Sequence, residues 1–207
     1  DDAAFAASGF DRLGVIEFDL PDGYTIRGST LQTGGDLTLQ AGMLSLSDGS
    51  IVAPQIRVHD NATLRGSGTL DADVLNAGEI APGDVLAITG NYSQRSAAAP
   101  GDAGTLRSRL VGPAEASRLE IAGIATLDGA MIVEGGLAPV LHPGGASITV
   151  LEAGAFAAGG DEFASVQTPP TRVDVGGKPD IVRLAAPQER RRPGLDQRHV
   201  MRRQKPV

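Results

Sequence analysis

Between Thr63 and Asp84 the chain reads TLRGSGTLDADVLNAGEIAPGD, which sets very short apolar pieces (Leu64; Leu70 to Leu75; Ile80) between Gly, Asn and Pro corners. No helix fits between corners so close together. What fits is short extended pieces joined by tight bends, too short for hairpins of ordinary length. They suit a chain that coils repeatedly and pairs each short strand with the next coil. The segment reads as one turn of a β-solenoid in an all-β protein.

The apolar composition agrees. Hydrophobic residues make up 41% of the 207, enough for a sizeable core, yet aromatics are 3% and Trp is absent. Ala, Val, Leu and Ile therefore supply the interior, which suits stacked aliphatic side chains of similar size better than a sandwich or a globular enzyme core. The 28 glycines and 13 prolines match a fold in which every coil needs several corners. With no cysteine, disulfides and thiolate metal sites are excluded.

Residues 1–12 are an Ala-rich lead-in, and from Leu13 the chain becomes strand-like. Pro21-Asp22-Gly23, Gly34-Gly35 and Asp48-Gly49 mark corners, while Leu37/Leu39, Leu44/Leu46 and Ile56/Val58 alternate with Thr, Ser, Gln and Arg at period two. Ala62-Thr63-Leu64-Arg65-Gly66 returns as Ala125-Thr126-Leu127-Asp128-Gly129. Such phrases at uneven intervals predict a coil of about 20 residues with connections of variable length. Arg95 to Gly104 and Gly135 to Gly145 read as loops. Strands resume from Thr105, and Val173–Val175 and Ile181–Leu184 are the last candidates. The expected organisation is a lead-in (1–12), a solenoid domain (13–185) whose irregular cap spans about 149–185, and a disordered basic tail (186–207).

Charge divides along the same lines. Residues 187–207 hold seven of the 18 Lys/Arg and two of the 25 Asp/Glu, so +5 sits in the tail and −12 in the rest of a chain whose net charge is −7. An acidic body argues against nucleic-acid binding, because a phosphate backbone needs a basic face. No stretch of 18 apolar residues is present to span a membrane as a helix. The N-terminal Asp-Asp-Ala-Ala-Phe-Ala-Ala has no basic start and does not read as a signal peptide, so an exported form would carry its leader outside this sequence.

Asp71 and Asp73, two apart on one strand face with Glu79 and Asp84 on neighbouring pieces, are the acid/base candidates. The alternative for them is a solvated acidic surface, since a glycosidase cleft adds aromatic platforms that this chain lacks. His59, His142 and His199 have no second ligand at metal-binding spacing. Gly177-Lys178-Pro179 lacks the remainder of a phosphate loop, and Gly34-Gly35-Asp36 alone does not make a calcium nonapeptide. Catalytic, cofactor-binding and metal-binding residues are therefore expected to be none, with no cofactor. Asn76 reads as a corner residue, left-handed or stacked on an Asn of the next coil.

The succession Gly66-Ser67-Gly68-Thr69-Leu70, Asn76-Ala77-Gly78-Glu79-Ile80-Ala81-Pro82-Gly83, Leu86 to Gln94, Leu119 to Gly129 and Thr149 to Ala153 with Phe156 or Phe163 behind it resembles the C-terminal passenger region of bacterial autotransporters, pertactin-like. The resemblance covers about half the chain. It implies a single right-handed parallel β-helix displayed outside the cell, serving adhesion or holding other segments off the surface, without enzymatic activity. Partners implied are a host or neighbouring-cell surface or polysaccharide, and an outer-membrane β-barrel translocator; the expected state is monomeric. Two departures stand: no amphipathic barrel strands follow residue 185, and the basic tail is unlike the family's linker. The alternatives are a polysaccharide-acting β-helix enzyme using Asp71 and Asp73, and a secreted or anchored matrix scaffold without a barrel.

Overall fold

The computed structural model describes residues 16–95, 103–112, 115–135, 148–160, 162–167 and 182–185. Every regular element there is a strand: β1 (Ile16–Arg27), β2 (Thr30–Gln32), β3 (Leu37–Asn76), β4 (Glu79–Ile88), β5 (Tyr92–Gln94), β6 (Thr105–Gly112), β7 (Glu115–Ala116), β8 (Arg118–Thr126), β9 (Ala130–Glu134), β10 (Ile148–Phe156), β11 (Ser165–Gln167) and β12 (Val182–Ala185). The protein is all-β, with long parallel strands and no helix among the described residues, an arrangement compatible with a β-solenoid. The expected lead-in and basic tail, the interiors of both expected loops, and the strand candidate Val173–Val175 lie outside the described residues.

Period-two alternation dictates the strands, and the corners dictate their pairing. Short strands separated by bends cannot fold back as long hairpins, so each finds its partner one circuit later and in the same direction. β1 pairs parallel with β3, Ile16 opposite Leu37 and Tyr24 opposite Leu44. Thr30 and Ser50, 20 residues apart, share a hydroxyl hydrogen bond of 2.6 Å. β3 is 40 residues long and cannot be straight, because its own parts meet: Arg65 Nε donates to Ser45 Oγ at 3.0 Å. Later circuits are longer, and Asn91 Oδ1 reaches Ile124 N 33 residues on. Among the described residues, antiparallel pairing is confined to the short β6–β7 hairpin and a bridge between Ala157 and Gly160.

Repeated parallel register stacks like on like. Leu64, Ile80, Leu106, Met131 and Val166 form one column. Leu86, Leu119, Leu151 and Leu184 form a second, and Leu70, Ile88, Ile121 and Ala153 a third. Val74, Tyr92, Ala125 and Phe156 make a fourth. Most members are fully buried. At about 1.5–3 kcal/mol for each large aliphatic side chain taken out of water, these columns are the main source of cohesion. A satellite core of Met131, Val133 and Val150 packs with Leu110, Ala116 and Phe163 beside the β6–β7 hairpin.

Turns lie close enough together to exclude side chains at some corners. Gly42 has φ 83, and a Cβ there would collide with the Leu20 carbonyl of the previous turn. Asp48, at the expected Asp-Gly corner, is the single non-glycine residue with positive φ (55) among those described. Asn76 is therefore not left-handed, and its register partner is Gln94 rather than an Asn. Its amide is used across turns, so the backbone there stays extended. The recurring Ala-Thr-Leu phrase does not mark equivalent positions either. Leu64 stands in the first column, whereas Leu127 lies past the end of β8, its N–H donating to Gly160 O at 2.7 Å. Within the expected cap, β10 extends the parallel ladder between β8 and β12.

Candidate functional site

Asp71 and Asp73 do share an exposed face, alternating with the buried Leu70, Ala72 and Val74. Both carboxylates serve the next turn. Asp71 Oδ1 accepts from Thr89 Oγ1 at 2.5 Å, and Asp73 Oδ1 accepts from Asn91 N at 2.7 Å and Asn91 Nδ2 at 3.1 Å. Asn91 Oδ1 in turn accepts from Ile124 N at 2.9 Å, so one polar thread crosses three turns.

Glu79 and Asp84 do not join the pair. Glu79 belongs to the neighbouring ladder, where its Oε2 receives Arg107 Nε at 2.9 Å and Nη2 at 2.7 Å. Arg107 Nη1 also donates to Glu134 Oε1, which sets the guanidinium between carboxylates one turn before and one turn after. The hydrogen bond to Glu79 is the main cause of a raised Arg107 pKa. Asp84 is exposed and is held through its backbone N–H, which donates to Ser67 Oγ at 3.0 Å.

A polar set lies inside. Asn76 Nδ2 donates to Tyr92 Oη and to Thr105 O, each at 3.1 Å. Tyr92 Oη donates to Gln94 Oε1 at 2.6 Å. Gln94 Nε2 reaches the carbonyls of Gly104 (2.8 Å), Asp128 (2.7 Å) and Ala130 (2.9 Å), three acceptors for two hydrogens, so one hydrogen is shared. Burial raises the Tyr92 pKa and the Asn76 hydrogen bond opposes that shift, so the phenol is neutral at physiological pH. Asn76 Oδ1 is buried with no partner among the described residues. Ser108 Oγ donates to Ser117 O, and Arg109 N donates to Ser117 Oγ at 2.8 Å, which closes the base of the β6–β7 hairpin.

The strand order repeats from turn to turn. β6 leads to β8, β9 to β10 and β11 to β12, and in each case the chain passes from the first ladder to the second. The chain thus crosses between the same two ladders on successive turns. Val111, at the outer end of β6, is 58% exposed.

Comparison with family models, curated proteins and solved structures found no match.

His59 is exposed, and His142 and His199 lie outside the described residues. No group of three or more His, Cys, Asp or Glu among the described residues could hold a metal ion, and no helix there is long and apolar enough to cross a membrane. The buried polar set and the Glu79–Arg107–Glu134 stack were missed from sequence. The first had a signal: period two in Asn91-Tyr92-Ser93-Gln94 puts Gln94 on the same inward face as Tyr92, and a buried Gln must find partners. The second had none, because its members come from three turns whose spacing is irregular.

Proposed function

We propose that the chain is a structural and adhesive module of the bacterial cell surface. It is a passenger segment of autotransporter type, built as a single right-handed parallel β-helix and without catalytic activity. The observation that carries this reading is the column Leu64–Ile80–Leu106–Met131–Val166, which runs through five turns with parallel ladders beside it. Such a stack is stiff, because bending it stretches backbone hydrogen bonds on one side and opens close-packed aliphatic contacts. Gly66–Leu70, Asn76–Gly83 and Leu86–Gln94, the phrases that resemble autotransporter passengers, fall on consecutive ladder segments of the stack. Its partner is a host or neighbouring-cell surface or its polysaccharide. An outer-membrane barrel carries it out of the cell.

The test is surface display. The chain is fused between a signal sequence and an unrelated outer-membrane barrel in a Gram-negative host, and intact cells are treated with protease and with antibody. A passenger reaches the surface folded and binds antibody on whole cells. Retention in the periplasm by a barrel that exports other cargo would overturn the reading.

A second reading, a polysaccharide-acting enzyme, draws on the shared face of Asp71 and Asp73. It has less support, since both carboxylates are engaged by Thr89 and Asn91. A drop in surface-polysaccharide turnover in the Asp71→Asn, Asp73→Asn double variant would favour it, and unchanged turnover would remove it.

A further inference from the structure

The aliphatic columns do not by themselves dictate which residue of one turn lies over which residue of the next. Inward positions alternate, so a strand that slips by two residues against its neighbour keeps its apolar side chains inside. With β9 two residues out against β6, Val133 would stand opposite Leu106 where Met131 now does, one buried aliphatic contact in place of another. The corner 127–129 would then take up two more residues, at little cost in loop entropy.

Gln94 distinguishes the two registers. Its Nε2 lies 2.8 Å from Gly104 O, 2.7 Å from Asp128 O and 2.9 Å from Ala130 O, so one buried amide faces the residue before β6, the corner before β9 and the start of β9. These carbonyls stand together only in the observed register, in which Ala130 N donates to Gly104 O at 3.0 Å. Two residues along a strand span about 6.6 Å, enough to carry the Asp128 and Ala130 carbonyls out of hydrogen-bonding range and leave the amide with Gly104 O alone. The other end of the amide is fixed as well. Oε1 accepts from Tyr92 Oη at 2.6 Å, and that phenol accepts from Asn76 Nδ2 at 3.1 Å, so Gln94 has no freedom to turn toward other partners.

We propose that Gln94 is the register key of the stack: its amide, held by Tyr92, fixes how many residues the corner before β9 absorbs. It thereby sets β9 on β6 and, through β9, the strand β11 stacked on it. The proposal rests on the ladder registers and goes beyond the surface-module reading. A single buried polar group among apolar layers fixes register in coiled coils for the same reason, because the wrong alignment leaves it without a partner. Gly129 resists a slip in a different way. Its φ is 62, and a Cβ in its place would lie 2.3 Å from Gly104 O. The two contributions are separable, since a change at Gln94 leaves Gly129 as it is.

The test is disulfide trapping in the full chain, which has no cysteine of its own to interfere. Thr105 and Ala130 are register partners and Ile132 is two residues out. All three are half-buried positions that alternate with the buried Leu106, Met131 and Val133. Neighbouring strands lie about 4.8 Å apart, within a disulfide's reach, whereas a pair two residues out of register exceeds its limit of about 7 Å. Mild oxidation should therefore link T105C/A130C and leave T105C/I132C unlinked. Gln94→Met keeps the length of the side chain and lacks the amide. It should fold by circular dichroism and raise the T105C/I132C yield by about tenfold, the weight of one orphaned buried polar group, at the expense of T105C/A130C. Gln94→Asn, which draws the amide back by one methylene, should do the same and serves where Gln94→Met does not fold. Val58→Ala, which weakens an earlier turn, should leave both yields as in the parent. An unchanged T105C/I132C yield in the folded Gln94 variants would overturn the proposal and assign register to Gly129. An equal rise in Val58→Ala would overturn it too, because lost stability alone would then explain the slip.

Discussion

Asn76 Nδ2 donates to Tyr92 Oη at 3.1 Å, and through that phenol the amides of two successive turns are joined, since Tyr92 Oη donates onward to Gln94 Oε1 at 2.6 Å. Tyr92→Phe keeps the ring and removes the link, leaving Gln94 Oε1 without its donor in a buried site. The expected cost is about 1–3 kcal/mol, the usual penalty for an orphaned buried polar group. Urea unfolding followed by circular dichroism measures it, and a change under a few tenths would mean the phenol bond adds nothing.

Alkaline pH should weaken the folded state through the same residue. Burial raises the Tyr92 pKa, with the Asn76 hydrogen bond acting the other way, so the folded chain holds the proton more tightly than the unfolded chain does. The contribution is fully present below the ordinary tyrosine value of about 10 and is lost as pH rises above it. Unfolding free energy measured between neutral pH and pH above 10 should fall more steeply in the parent than in Tyr92→Phe.

Gly42→Ala and Gly28→Ala separate backbone conformation from crowding. Both positions have positive φ (83 and 56), but only at Gly42 would a Cβ meet the carbonyl of the preceding turn, and nothing lies within 4 Å at Gly28. Gly28→Ala should cost about 1–2 kcal/mol for a left-handed alanine. Gly42→Ala should cost clearly more or prevent folding, because two turns must move apart. Equal thermal midpoints for the two variants would contradict this.

Arg107 between Glu79 and Glu134 is a partly exposed ion-pair stack, with side-chain exposure of 32% for Arg107 and 28% for Glu79. Solvent screening keeps its value modest. A double-mutant cycle with Arg107→Met and Glu79→Gln should give a coupling of about 0.5–1 kcal/mol that shrinks as salt is raised. Arg107→Lys, whose donors all sit on one nitrogen, lacks the planar fork that spans both carboxylates and should recover only part of it.

Leu106 and Val166 occupy the same column but opposite environments, 0% and 51% exposed. Leu106→Ala should destabilise by about 2–5 kcal/mol through lost transfer energy and a cavity between two turns. Val166→Ala should change stability by no more than about 0.5 kcal/mol.

Much of the fold was legible because its signals are local. Pro21-Asp22-Gly23 falls where the β1–β3 register shifts, and Gly34-Gly35 falls on a bend between β2 and β3. Asp48-Gly49 supplies the left-handed corner. Leu37/Leu39, Leu44/Leu46 and Ile56/Val58 all point inward as their alternation requires. The acid pair was legible to the extent that Asp71 and Asp73 share a face. Their partners Thr89 and Asn91 were not, since finding them requires the spacing between turns.

What the sequence determined by itself was the class of structure: short strands, aliphatic columns and tight corners follow from period-two patterning and from glycine, proline and asparagine placed every few residues. Only the tertiary structure decided which turn lies over which. That choice brings Gln94 onto Asn76, Arg107 between two glutamates and Val166 to the outermost described strand of its ladder. The physical reason is that register between turns depends on how many residues each corner absorbs. A corner can absorb three residues or a dozen at little difference in free energy, because the entropy of closing a loop grows only slowly with its length.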